Sequence, residues 1–136
     1  MSLWTDFNDA PGLPWEEPGA VAINHGAIAT FLEVVFGYCD GLIPVRGFVD
    51  QGQGIDSRPH NIWIPADRHA AVSLSAYATW AAREGSAVYV IPGTVAQQGQ
   101  ARAEHVLQMQ AVVVDLDSGD IAAKLAHLVH HLGAPT

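Results

Sequence analysis

Apolar residues recur at three- and four-residue spacing in some stretches of this chain and alternate or run together in others, and that rhythm predicts its elements. Asn24 is suited to cap a helix over roughly 26–37, whose face is marked by Ile28, Phe31, Leu32, Val35 and Phe36 and whose end is bracketed by Gly37 and Gly41. Leu42 to Asp50 reads as a strand; Pro44 places it at an edge or near a strand start, and Gly47 suggests a bulge. A glycine-rich polar loop, Gln51 to His60, leads to the alternating Asn61 to Pro65, expected to pair antiparallel with the strand before it. Asp67 then opens a second helix of about 67–84, with Ala70, Leu74, Tyr77, Ala78 and Ala81 on one face and Gly85 as its stop. Ala87 to Ile91 is a third strand, ended by Pro92-Gly93. Residues 94–106, rich in glutamine, are expected to form a mobile connection with a helical turn over Ala101 to His105. A fourth strand precedes a last helix of about 119–132, for which Gly133 and Pro135 are stop signals.

The fourth strand carries the chemistry. In Gln110-Ala111-Val112-Val113-Val114-Asp115-Leu116-Asp117-Ser118-Gly119-Asp120, a β-branched run predicts a buried strand, and the carboxylates where it stops mark its exposed end. Residues i and i+2 of a strand share a face, so Asp115 and Asp117 are expected to aim together. Two anions side by side repel unless a cation or a shared proton lies between them. Three roles are open at this point. The pair can hold Mg²⁺ or Mn²⁺ that aligns a nucleoside triphosphate with a 3′-hydroxyl for in-line displacement. Asp115 can be a phosphoryl-accepting nucleophile with Asp117 as its acid/base partner. Or Asp117 and Ser118 cap the last helix, with Asp120 adding favourable charge in its first turn.

The order helix, strand, strand, helix, strand, strand, helix gives an α/β (α+β) class: a mixed β-sheet of about four strands flanked by three helices. Residues 1–23, with Trp4, Trp15 and three prolines, read as an extended N-terminal arm ahead of an α/β domain over 24–136. One strand and one helix after the carboxylate pair make half of a βαβ unit, so the domain is expected to be the N-terminal part of a longer catalytic domain. The 49% apolar and 15% charged composition demands a packed core and excludes a disordered chain. No apolar run approaches the roughly 18 residues of a membrane span, and the N-terminus carries acids where a secretory signal has basic groups, so a soluble, cytoplasmic protein is expected. The single cysteine, Cys39, excludes an internal disulfide and reads as a small apolar filler at a helix end. A formal charge of −8 argues against a free-standing domain that grips phosphate backbones by bulk charge.

Other candidates are weaker. His127, His130 and His131 share the last helix, with His127 and His131 one turn apart at a spacing that suits a transition metal. Leu128 stands where a zinc-protease helix has glutamate, and the solvated reading is preferred. Arg46, Arg58 and Arg68 are candidates to reach a phosphate. Gly52-Gln53-Gly54 lacks the Lys and Ser/Thr of a phosphate-binding loop. Trp63, Tyr77, Trp80 and Tyr89 read as core or half-core aromatics rather than a base-stacking platform.

The stretch from Phe31 to Asp120 resembles the N-terminal half of plasmid- and phage-type (RepB-like) primases of the archaeo-eukaryotic primase (primase-polymerase) superfamily. The blocks that carry the resemblance are Phe36-Gly37-Tyr38, Leu42-Ile43-Pro44-Val45-Arg46-Gly47-Phe48, Asn61-Ile62-Trp63-Ile64, Val88-Tyr89-Val90-Ile91-Pro92-Gly93 and Val112-Val113-Val114-Asp115-Leu116-Asp117-Ser118-Gly119. The last block fits the superfamily's first motif, and the resemblance implies that Asp115 and Asp117 are metal ligands of a nucleotidyltransferase serving replication of a mobile element. It implies nucleoside triphosphates and a single-stranded DNA template as partners of the whole protein, with a replication helicase or self-association besides. The superfamily's later strand histidine and further acidic ligand have no counterpart before Thr136, so the resemblance implies a fragment or degenerate copy with little or no primer synthesis alone. The competing expectation is a non-catalytic protein-interaction module with an acidic surface; a phosphoaspartate phosphatase is the third.

Overall fold

Asn24 accepts a hydrogen bond from the Ala27 N–H at 2.9 Å, so the first helix, α1 (His25–Phe36), starts where its apolar rhythm places it. The computed structural model describes residues 22–49 and 60–135, and this chain divides between Val112 and Val113 into two compact units. Most of the expected arm 1–23, and the loop before β2 up to residue 59, lie outside the described residues.

In the larger unit, α1 is followed by β1 (Leu42–Val49), β2 (His60–Pro65), α2 (Ala70–Glu84), β3 (Ser86–Val90), β4 (Thr94–Val95), a 3₁₀ turn (Ala103–His105) and β5 (Val106–Gln108). Gly41, at φ +102°, makes the turn from α1 into β1; a Cβ there would stand 2.7 Å from the Val95 carbonyl oxygen, so only glycine fits. The class is α+β. The sheet has five strands in the order β2-β1-β4-β5, with β3 also on β1, and its described pairings are all antiparallel where a mixed sheet was expected.

β1 is the central strand. It pairs with β2 along Leu42–Gly47 and, on its other edge, with β3 along Val45–Val49 and β4 at Leu42. Pro44, expected at an edge or near a strand start, is the third residue of this central strand, so the second alternative holds. A strand residue's N–H and C=O point the same way, and the Pro44 carbonyl accepts from the Ile91 N–H, so the missing donor faces the seam between β3 and β4. Gly47 forms no bulge either; β1 stays in register through Val49. Glycine is required there because the Tyr77 hydroxyl and Ser86 Oγ occupy the space that a Cβ would take.

Both helices of this unit pack on one sheet face. Leu32, Val35 and Phe36 of α1 and Ala70, Leu74 and Tyr77 of α2 bury Ile43 and Val45 of β1 and Ile64 of β2. Cys39 fills this core beside the end of α1, as its position suggested. The buried Tyr77 hydroxyl donates to the His60 carbonyl at 2.7 Å, tying α2 to the start of β2. α2 begins at Ala70, one turn later than expected, because the Asp67 carboxylate accepts from the His69 N–H at 2.7 Å in a turn of its own. Gly85, at φ +65°, ends it.

The 94–108 region differs most from expectation. The helical turn expected over Ala101 to His105 is there as the 3₁₀ turn, but the rest of the expected connection forms β4 and β5, held by two glutamine side chains. Gln108 Oε1 accepts from the Asp40 N–H. Gln110 Oε1 accepts from the Tyr38 N–H, and its Nε2 donates to the Glu33 and Val34 carbonyls at 3.2 and 2.8 Å. The Val34 carbonyl is one that a helix C-terminus leaves without a partner, while the Glu33 carbonyl also accepts from the Gly37 N–H at 3.0 Å, so Gln110 ties down the end of α1 from 72 residues or more away.

Candidate functional site

Among the described residues the smaller unit starts at Val113, and its element there is α3 (Ile121–Leu132). The strand expected to deliver the carboxylates is not formed: no strand is assigned over 109–120, and Val112 and Val113 are 79% and 56% exposed. A β-branched run expresses a preference for extended backbone, but a strand needs a neighbour. β4, the position available next to β1, is paired with Val106–Gln108 instead.

Val114 and Leu116 border a shallow, open apolar depression with Ala123, Lys124, His127 and Leu128 of α3. Asp115 and Asp117, the intervening positions, are exposed and take no part in that lining. A turn at Ser118-Gly119 follows, with Gly119 at φ +75° and the Lys124 ammonium donating to the Ser118 carbonyl at 2.6 Å.

The helix is capped by neither Asp117 nor Ser118. Asp120 is the N-cap, its carboxylate accepting from the Ala123 N–H at 3.0 Å, and Gly133 at φ +86° closes the other end. Asp120 thus takes the capping role that the pattern had offered to Asp117. The pair that remains is two exposed carboxylates, hard oxygen donors of the kind that hold Mg²⁺ or Mn²⁺. Such ions keep several waters and need only one or two protein carboxylates when phosphates supply the rest. Among the described residues no set of three or more His, Cys, Asp or Glu side chains converges as a metal cage.

The histidines do meet. The His127 and His131 rings are 4.4 Å apart and those of His130 and His131 5.0 Å apart, all three exposed on α3. The arginines do not form one site: Arg68 donates to its neighbour His69 at 3.2 Å, Arg46 lies in β1, and Arg58 is outside the described residues.

Of the aromatics read as core or half-core, Tyr77 is buried and Trp63 half-buried, whereas Tyr89 lies exposed on the sheet face away from α1 and α2. Tyr89 is 58% exposed there, beside Phe48, while Trp63 is half-buried under its own hydrogen bond from Nε1 to the Gln100 carbonyl at 2.8 Å. The alternation in β3 was the available signal: Val88 and Val90 pack on the core, so Tyr89 between them must face away. Tyr77 and Trp80 stack with His60 at the start of β2.

Among the described residues no helix is long and apolar enough to cross a membrane. No family model, curated protein or solved structure matches this chain.

Proposed function

We propose that Asp115 and Asp117 hold a divalent cation, Mg²⁺ or Mn²⁺, in part of a nucleotidyl-transfer domain of the primase-polymerase kind. Its substrates are nucleoside triphosphates and a single-stranded template, and it acts in the cytoplasm. The observation that carries this reading is the N-cap at Asp120, which supplies the helix end and leaves Asp117 to another task beside Asp115. The bound ion supplies charge neutralisation at a transferring phosphoryl group. The chain supplies two exposed carboxylates two residues apart, just ahead of the turn into α3.

Manganese titration followed by amide NMR tests it. Paramagnetic broadening confined to residues 113–120 in the wild type and lost in Asp115→Asn is the expected result. Broadening that spreads over exposed acids alike, or none, removes the cation and leaves the acidic surface as a protein-interaction module.

A further inference from the structure

We propose that the helix-free face of the sheet in the larger unit binds a base of single-stranded nucleic acid, stacked on Tyr89 and Phe48 with its phosphate on Arg46. In the register, Asn61 of β2, Arg46 of β1 and Tyr89 of β3 lie side by side across three strands, and Phe48 is two positions along β1 on the same face. The Arg46 guanidinium lies 5.8 Å from the centre of the Phe48 ring, and the Phe48 and Tyr89 rings meet edge to face at 5.6 Å. Arg46 Nε donates to Asn61 Oδ1 at 3.0 Å. Arginine has no acceptor, so the amide oxygen must turn to it, and the Asn61 NH₂ is left as a donor toward a base edge.

The chemistry of this row decides the occupant. Tyr89 and Phe48, 58% and 37% exposed, offer a π surface on which any base stacks. A guanidinium between ring and amide matches an anion carried by a planar heteroaromatic group, which is what one nucleotide of an unpaired strand presents. Residues that packed only against an apolar peptide would not need the arginine and asparagine in register. The net charge of −8 sets the strength of the interaction rather than its site. Remote acids are screened beyond a Debye length of about 8 Å at physiological salt. Stacking itself carries no net charge, so binding is weak and only mildly salt-dependent. One phosphate neutralised on a single strand gives a slope of log affinity against log salt of about −0.7.

This inference uses residues of the other unit from the carboxylate pair and does not rest on that reading. The test is fluorescence anisotropy of a labelled short oligothymidylate with the full chain in EDTA, over a salt series, repeated with Asp115→Asn. Wild type is expected to bind, equally with Asp115→Asn, and its Tyr89 ring protons are expected to move upfield in NMR. Tyr89→Thr, which keeps a strand-forming residue, should weaken binding about 5- to 100-fold, and Arg46→Gln should flatten the salt slope by about 0.7. Val72→Ala, on an exposed position of α2, should change nothing. No binding at low salt, binding untouched by Tyr89→Thr in a variant of native circular dichroism, or unmoved Tyr89 ring protons in the wild type would each overturn the proposal. So would a salt slope steeper than about −2, which means phosphate contacts spread over several basic groups.

Discussion

Replacing Asp120 and Asp117 one at a time separates a helix cap from a metal ligand. Asp120 Oδ1 accepts from the Ala123 N–H at 3.0 Å, and its carbonyl accepts from the Lys124 N–H, also at 3.0 Å. Loss of an N-cap side chain costs about 1 kcal/mol. Its negative charge at the positive end of the helix contributes about another 0.3–1 kcal/mol. The twelve residues of α3 bury no side chain fully, so little packing masks the loss, and Asp120→Ala should cost about 1–2 kcal/mol locally. Asp117 precedes the cap by three residues, and the dipole's influence fades within the first turn, so Asp117→Asn should stay within about 0.3 kcal/mol without metal. Amide hydrogen exchange over Ala123–Leu128 reads this directly. A protection loss of roughly 5- to 30-fold is expected for Asp120→Ala and almost none for Asp117→Asn. Equal losses would make Asp117 part of the cap and remove the ground for assigning it a cation.

Two further outcomes follow from the contact of α2 with β1. Gly47→Ala drives a methyl into the Tyr77 hydroxyl and Ser86 Oγ and should cost about 1–3 kcal/mol in chemical denaturation, partly recovered when Tyr77→Phe removes the hydroxyl. Burial raises the Tyr77 phenol above its ordinary value. The unfolded chain therefore ionises first: the stability due to Tyr77 is whole below about pH 10 and falls as pH climbs from there toward the raised folded value. Tyr77→Phe should abolish that share of the alkaline fall, and an unchanged slope in the variant would show that the phenol is not desolvated.

The elements with their own punctuation were legible in the chain. Asn24 and Gly37 frame α1, Gly85 ends α2 and Gly133 ends α3, each by a local hydrogen bond or a positive φ that needs no distant partner. The antiparallel pairing of β1 with β2 could also be read, because alternation and proximity in sequence agree. β4 and β5 could not. They are two and three residues long, too short for any period, and they are fixed by Gln108 and Gln110 reaching backbone groups at the end of α1. Glutamines in a glycine-containing stretch look like loop; only the tertiary position of the helix end turns them into clamps.

The same limit separates what could be read at the carboxylates from what could not. Period-two spacing orients side chains only along a strand, so where the strand does not form the spacing no longer fixes a shared direction for Asp115 and Asp117, and what the structure gives is that both are exposed. Strand pairing is a property of neighbours, and Val112-Val113-Val114 has the propensity without the pairing. Capping is a third case: Asp117, Ser118 and Asp120 are all competent acceptors, and the choice depends on where the turn falls. Gly119 at φ +75° turns the chain after Ser118, which aligns Asp120 with the first free N–H groups and carries Asp117 out of reach. A Gly119→Ala chain, strained at that φ, should therefore loosen the cap and the spacing of the two carboxylates together, whereas Asp120→Ala should loosen the helix and leave manganese broadening at 113–120 in place.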